Sequence, residues 1–254
     1  MNLKPTDQFA NLKQFVILKA MYKRVLLKLS GEQLQGETTG VGFDAERAVW
    51  IANEIKKVEG SEIVVMIGGG NFVRGAEIVG GGVQRVTADN MGMMATIINA
   101  VALADVFNNN GLSSRVLTNV KIDQVADQFT HRRALSHLKK KRVVIVAGGI
   151  GRPYLTTDTG AVSLALELEC DAILKATKVD GVYDSDPNTN PDAKKFEHVS
   201  LQQAVEDPNV RVMDKAAIAL AHDHNQSIVV FELLKEGNIA RACGGDVVGT
   251  TISS

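Results

Sequence analysis

Two lysines stand inside apolar runs: Lys28 in Val25-Leu26-Leu27-Lys28-Leu29, and Lys175 at the end of Ala172-Ile173-Leu174-Lys175. Each run reads as a strand buried on both faces, where an ammonium group is rare without a partner. Snorkelling to solvent from a strand end is the ordinary alternative for either lysine. Between them in sequence comes Thr156-Thr157-Asp158, two hydroxyls and a carboxylate at the start of a helical stretch. Taken alone, that triplet needs no role beyond an N-cap. Glycines cluster after three apolar runs, at Ser30-Gly31, at Gly68-Gly69-Gly70 and at Gly148-Gly149-Ile150-Gly151, and Arg74 follows the second cluster by four residues. Consecutive glycines cost backbone entropy, and one use for them is to bring backbone N–H groups close to an anion. Inward lysines, an arginine, one organising carboxylate and glycine loops together suit phosphoryl transfer. That reaction asks for charge neutralisation and in-line holding more than for covalent help.

The elements that must position these groups follow from the pattern of apolar residues. Short β-rich runs at Val25–Leu29, Ile63–Ile67, Val116–Thr118, Val143–Ala147, Ala172–Leu174 and Ile228–Phe231 alternate with helical stretches. The helical stretches are Ala45–Val58, Asp89–Asn108, Asp158–Leu168 and Asp214–Asp223. This alternation predicts an α/β fold, with a mainly parallel central sheet sandwiched between helices. Ligands of such sheets bind beyond the carboxyl ends of the strands, where the glycine clusters fall and the following helix N-termini add positive dipole. Tyr183–Pro191, crowded with Asp, Asn and Pro, reads as a loop.

Several functions are disfavoured. The P-loop signature is absent, and G-x-G-x-x-G/A matches only at Gly40–Ala45, which no apolar strand precedes. The H-R-D and D-F-G signatures of protein kinases are missing. His222-Asp223-His224 reads as a solvated turn, and Cys170 and Cys243 have neither metal-ligand nor disulfide-framework spacing. A net charge of −1 provides no field for nucleic acid or an anionic membrane. No uninterrupted apolar run approaches the ~20 residues of a membrane span. Gln14–Leu18 is too short for the apolar core of a signal peptide, and Lys19 follows it closely. Residues 1–20 therefore read as a mobile polar extension, with Met21 an alternative start, and the expected location is cytoplasmic.

Four segments carry a family resemblance: Lys28-Leu29-Ser30-Gly31-Glu32, Ile67-Gly68-Gly69-Gly70-Asn71 through Arg74-Gly75, Leu155-Thr156-Thr157-Asp158, and Lys175-Ala176-Thr177-Lys178-Val179-Asp180-Gly181-Val182-Tyr183. From about Tyr22 onward the chain resembles the bacterial UMP kinases of the amino acid kinase family. The resemblance implies transfer of the ATP γ-phosphoryl to UMP, giving UDP and ADP in pyrimidine nucleotide biosynthesis, with Mg2+ bound on the ATP phosphates and no metal site of the protein's own. It also implies a homohexamer, activated by GTP and inhibited by UTP.

Carried over by position, Lys28, Leu29, Ser30, Gly31, Gly70 and Arg74 would contact the ATP phosphates. Thr177, Tyr183 and Asp186 would hold its nucleoside, although Tyr183 could equally be a half-buried loop tyrosine. Gly69, Asp89, Ile150, Gly151, Arg152, Pro153, Tyr154, Leu155, Thr156 and Thr157 would hold UMP. Lys28, Arg74, Asp158 and Lys175 would form the catalytic set, with Asp158 orienting the lysines and Asp214 a second candidate for that network. Gly68–Gly70 would lie where the phosphates of the two substrates meet.

The chain departs from the family at Arg152, which replaces a usual Asn, and in the length and residues of Gly36–Gly40. Residues 21–254 are expected to form one domain, with the acceptor part at 21–165 and the ATP part at 166–254. Two alternatives remain at this stage: a kinase of the same fold acting on a small carboxylate such as glutamate or aspartate, or a nucleotide-binding storage or regulatory protein without catalysis.

Overall fold

The apolar runs become adjacent strands of one sheet. The computed structural model describes residues 21–36, 42–73, 81–187, 189–208, 210 and 212–254. Among these the strands are β1 (Arg24–Leu29), β2 (Glu62–Ile67), β3 (Ser114–Thr118), β4 (Asp127–Gln128), β5 (Val143–Ala147), β6 (Ala172–Thr177), β7 (His198–Ser200), β8 (Ile228–Glu232) and β9 (Gly249–Ser253). They lie in the order β4-β3-β5-β2-β1-β6-β8-β9-β7. Every neighbouring pair is parallel except β8 with β9.

The helices are α1 (Ala45–Lys56), α2 (Arg85–Asn109), α3 (His131–Leu138), α4 (Thr157–Glu167), α5 (Leu201–Glu206), α6 (Lys215–Asp223) and α7 (Asn238–Cys243), and a 3-10 turn spans Gly31–Leu34. They cover both faces of the sheet, as two separate apolar clusters. Val25, Leu27 and Leu29 of β1 pack with residues of α1, α2 and α7 on one side. Leu26 packs with residues of α4, α5 and α6 on the other. The α/β class with helices on both faces is as expected from the sequence.

Helix α2 is long and apolar enough to cross a membrane by length and composition. It nevertheless lies along the sheet, with Ala100, Leu103 and Phe107 fully buried in the core. Cys170 and Cys243 are both buried, and burial pushes each thiol up to about 12, far from a reactive thiolate.

Candidate active site

Side chains alternate between faces along a strand, so Lys28 shares the face of Leu26 and points toward α4. In the parallel register Lys28 pairs with Lys175 of β6, which places two ammonium groups side by side on that face. Like charges so placed repel unless something lies between them. Helix α4 supplies it. The Thr156 hydroxyl caps the helix, accepting from the N–H groups of Asp158 at 3.0 Å and Thr159 at 3.3 Å. That cap puts Asp158 in the first turn, against the sheet. One carboxylate oxygen ion-pairs Lys28, and the other lies 2.8 Å from Lys175 Nζ.

Lys175 also donates to the Val212 carbonyl just before α6. Burial alone would raise the Asp158 carboxyl, but Lys28 and Lys175 outweigh it and hold the group below the usual carboxylate range. For Lys175, burial lowers the ammonium pKa and Asp158 opposes this only in part. Within this triad two ammonium groups face one carboxylate, which leaves one positive charge at the carboxyl ends of β1 and β6. An anion there would complete the balance.

Asp214 pairs with neither lysine directly, although its charge raises the Lys175 pKa. It caps α6 by accepting from Ala217 N at 3.0 Å, and it also accepts from the hydroxyls of Thr156 and Thr159. It therefore fixes the start of α4 and so holds Asp158 in place indirectly.

Of the expected phosphate-contact residues, Leu29 turns its side chain into the core. The Ser30 hydroxyl is engaged as the cap of the 3-10 turn, accepting from Glu32 N at 3.2 Å. The three consecutive glycines divide by role. A Cβ on Gly69 would come 2.7 Å from Ala95 Cβ and 2.8 Å from the Gly92 carbonyl of α2. One on Gly68 would approach Gly31 N to 3.1 Å, whereas one on Gly70 would meet nothing nearer than Glu32 Cγ at 3.7 Å. The expectation that all three stay bare for substrate phosphates is thereby narrowed. Close packing against the protein itself accounts for two of them, and Gly70 alone would accept a Cβ in ordinary contact with Glu32. Arg74, with Gly75, lies outside the described residues, as do residues 37–41 of the altered loop.

On the other side of the triad, a cleft of about 280 Å³ is lined by Gly69, Gly70, Asp89, Arg152, Leu155, Thr156 and Thr157, together with Thr96 and Gly149. Most of the residues expected at the acceptor are thus brought together. Ile150, Gly151, Pro153 and Tyr154 complete the same loop without lining the cleft, and Gly151 serves the turn with φ 74°. Asp89 is held from two directions. Arg85, one turn earlier on α2, donates from Nε to both carboxylate oxygens at 2.9 Å, and Tyr154 N donates to Oδ2 at 2.8 Å. Tyr154 reaches that position in a left-handed conformation, φ 68°, with the Arg85 guanidinium 5.3 Å from its ring centre.

The chain and its fold are similar to known proteins. The model of the amino acid kinase family matches residues 23–232. The chain belongs to the amino acid kinase family. Within it, the chain is 46% identical over 234 residues to a uridylate kinase of Erythrobacter litoralis strain HTCC2594, covering 91% of this chain and 98% of that protein. A crystal structure of UMP kinase from Bacillus anthracis superposes with a TM-score of 0.87 at 41% identity, covering 92% of this chain and 97% of the other. UMP kinase from Ureaplasma parvum gives 0.85 at 34% identity over 91% and 99% of the two chains. A uridylate kinase of Archaeoglobus fulgidus gives 0.67 at 27% identity over 90% and 99%.

The residues of this family member expected around the nucleoside of ATP divide between two clefts. Thr177 lines one of about 410 Å³ with Gln33, Lys178, Glu232 and Leu233, and its hydroxyl donates to the Val179 carbonyl at 2.6 Å. Tyr183 and Asp186 line another of about 430 Å³ with Gly181, Val182 and Pro187. The Tyr183 hydroxyl donates to Asp180, whose other oxygen lies 2.8 Å from Lys195 Nζ, so the ring is tethered at its edge.

Sequence reasoning missed Arg85, Thr96, Asn71 and Asn99. Arg85 carried an i,i+4 signal with Asp89. Thr96 accepts from Gly148 N at 2.7 Å and so fixes the glycine turn after β5. Asn99 is a polar residue in an apolar helix, the same kind of anomaly that marked Lys28.

Proposed function

We propose that this chain transfers the γ-phosphoryl of ATP to UMP, giving UDP and ADP for pyrimidine nucleotide biosynthesis. The observation that carries this reading is the Lys28–Asp158–Lys175 triad, adjoining a cleft whose rim is Asp89, Thr156 and Thr157. The names of the relatives, uridylate and UMP kinases, support the choice of acceptor. The attacking group would be a phosphate oxygen of UMP, already ionised near neutral pH because the second phosphate pKa is about 6. No general base is then needed, and Asp158, with both oxygens against lysines, is not placed to act as one. Lys28 and Lys175 would neutralise charge on the transferring group, while Gly70 N–H and Arg74 would orient the phosphates of ATP.

Mg2+ would add charge neutralisation on the ATP phosphates. It typically keeps several waters and binds through phosphate oxygens with one or two carboxylates. We further propose a cytoplasmic homohexamer with GTP activation and UTP inhibition. In that reading residues 21–165 serve the acceptor and residues 166–254 serve ATP; residues 1–20 lie outside the described residues. Exposed Met91, Met94, Ile98 and Val101 along α2 support self-association.

The test is phosphotransfer from ATP across UMP, CMP, dUMP, AMP, glutamate and aspartate. UMP should turn over fastest, with CMP far behind, because a site built to pair polar groups rejects the wrong base edge. Faster turnover of glutamate or aspartate would overturn the reading, as would absence of turnover with every acceptor.

A further inference from the structure

We infer that Asn99 is a positioning residue, which through Asn71 sets the distance between the two glycine loops that serve the phosphates. The inference rests on the kinase reading above. Asn99 is fully buried in the middle of α2, and Asn71, directly after the three glycines, is 2% exposed. Their amides bind each other reciprocally. Asn71 Nδ2 donates to Asn99 Oδ1 at 2.9 Å, and Asn99 Nδ2 donates to Asn71 Oδ1 at 2.7 Å. The remaining hydrogens reach backbone, Asn99 donating to the Gly68 carbonyl at 2.8 Å and Asn71 to the Gly42 carbonyl at 2.8 Å. Gly42 N returns a bond to the Asn71 carbonyl at 3.0 Å. All the N–H bonds of the pair are thus engaged, as burial of two amides demands.

The pair also supports the other loop. A Cβ on Gly31 would come 2.5 Å from Asn71 Oδ1, 2.7 Å from Gly70 N and 2.8 Å from the Gly68 carbonyl. The Asn71 amide is therefore wedged between the turn after β1 and helix α2. Moving it would shift Gly31 relative to Gly70, and both are expected at the phosphates. Asn99 itself lines neither the acceptor cleft nor the clefts beside Thr177 and Tyr183. Helix α2 carries Asp89 at the acceptor cleft and Asn99 behind the glycine loops, so one rigid element references both sides of the reaction.

The test uses the full chain with Asn99→Asp, which keeps shape and loses both donors, together with Asn99→Ala, Asn71→Ala and the double alanine variant. A displacement of about 1 Å in reacting groups costs on the order of 10²-fold in rate. Asn99→Asp is therefore expected to lower kcat for UMP about 100-fold, per folded molecule by thermal midpoint, with KM for UMP within about threefold of wild type. The two alanine changes should combine less than additively in log kcat, because they disturb one geometry. Should the aspartate variant fail to fold, Asn99→Ala carries the same kcat expectation. A kcat within threefold of wild type in the folded variant, a raised KM at unchanged kcat, or additive alanine effects would overturn the inference. If wild type prefers another acceptor in the panel, the UMP reading fails. The Asn99 comparison then runs on that acceptor, or on ATP affinity if none reacts, where wild-type affinity in the variants would likewise overturn it.

Discussion

Replacing Asp158 by asparagine removes the one carboxylate lying between two register-paired lysines. Both ammonium groups stay in place, with side chains only 10% and 15% exposed, and their counter-charge is gone. Removing one partner of a buried ion pair typically costs about 3–5 kcal/mol, because the remaining charge is left uncompensated. With a urea slope of roughly 3 kcal/mol per molar, that loss lowers the unfolding midpoint by about 1–1.7 M. A second change, Lys175→Met, should recover much of the midpoint in the Asp158→Asn background while leaving activity abolished.

The pH dependence follows from the directions of the shifts. Asp158 titrates below its ordinary value in the folded protein. Its pairing therefore contributes fully above about pH 4 and is lost as pH falls through the folded value, so the wild-type advantage over Asp158→Asn should shrink in acid. Lys175 is shifted down, so between its folded and unfolded values the unfolded chain binds more protons and stability rises with pH. Without Asp158 that shift deepens, and raising the pH from 7 to 9 should stabilise the variant more than wild type. Urea midpoints by circular dichroism across this range measure both effects. A midpoint for Asp158→Asn within about 0.3 M of wild type at pH 7 would refute the charge-balance argument.

Other consequences are simpler to test. Lys28→Ala should reduce kcat by about 10²–10³ in a protein that still folds and binds UMP, by analogy with the loss of one oxyanion donor; near wild-type turnover would remove Lys28 from catalysis. Asp89→Ala should lower kcat/KM for UMP roughly 10- to 150-fold, the equivalent of about 1.5–3 kcal/mol for hydrogen bonds to a charged group, and clearly less for dUMP. Equal losses for the two acceptors would leave Asp89 only its ties to Arg85 and Tyr154. Gly69→Ala should lower the melting temperature through its clash with α2. Gly70→Ala should leave melting unchanged and impair ATP kinetics, and the reverse pattern would contradict the division of roles among these glycines.

The parts of the fold visible in the sequence were those whose burial left a pattern. Strands β1, β2, β5, β6 and β8 announced themselves because both faces are covered. Strand β4 is two exposed residues, and β9 reads Gly-Thr-Thr-Ile-Ser, so neither has an apolar run to detect. In β9 the buried Thr250 is accommodated by hydrogen bonds with Phe196 and Val182, which only the folded chain reveals. Helix α2 starts at Arg85, four residues before the predicted Asp89, because its N-cap Gln84 makes no side-chain capping bond and gave no start signal. Lys28 and Lys175 were legible as charges where apolar residues belong, whereas Asp158 read alone as part of a helix cap and gained its role only beside them and through the family resemblance. The reason for Gly69 was not legible, since it depends on how close a helix distant in sequence comes to the loop.

The triad's unbalanced charge makes the nucleotide something more than a passenger. Within the triad two ammonium groups face one carboxylate, and under the kinase reading proposed above a polyphosphate would add the further negative charge. Substrate binding then becomes part of the stability of the chain itself: at a hundred times its dissociation constant, a ligand of the folded state adds about 2.7 kcal/mol. In a cell rich in nucleotides the protein would be held in its folded form by the pool it acts upon. Starvation for nucleotides would slow its reaction and, by the same electrostatics, loosen its fold.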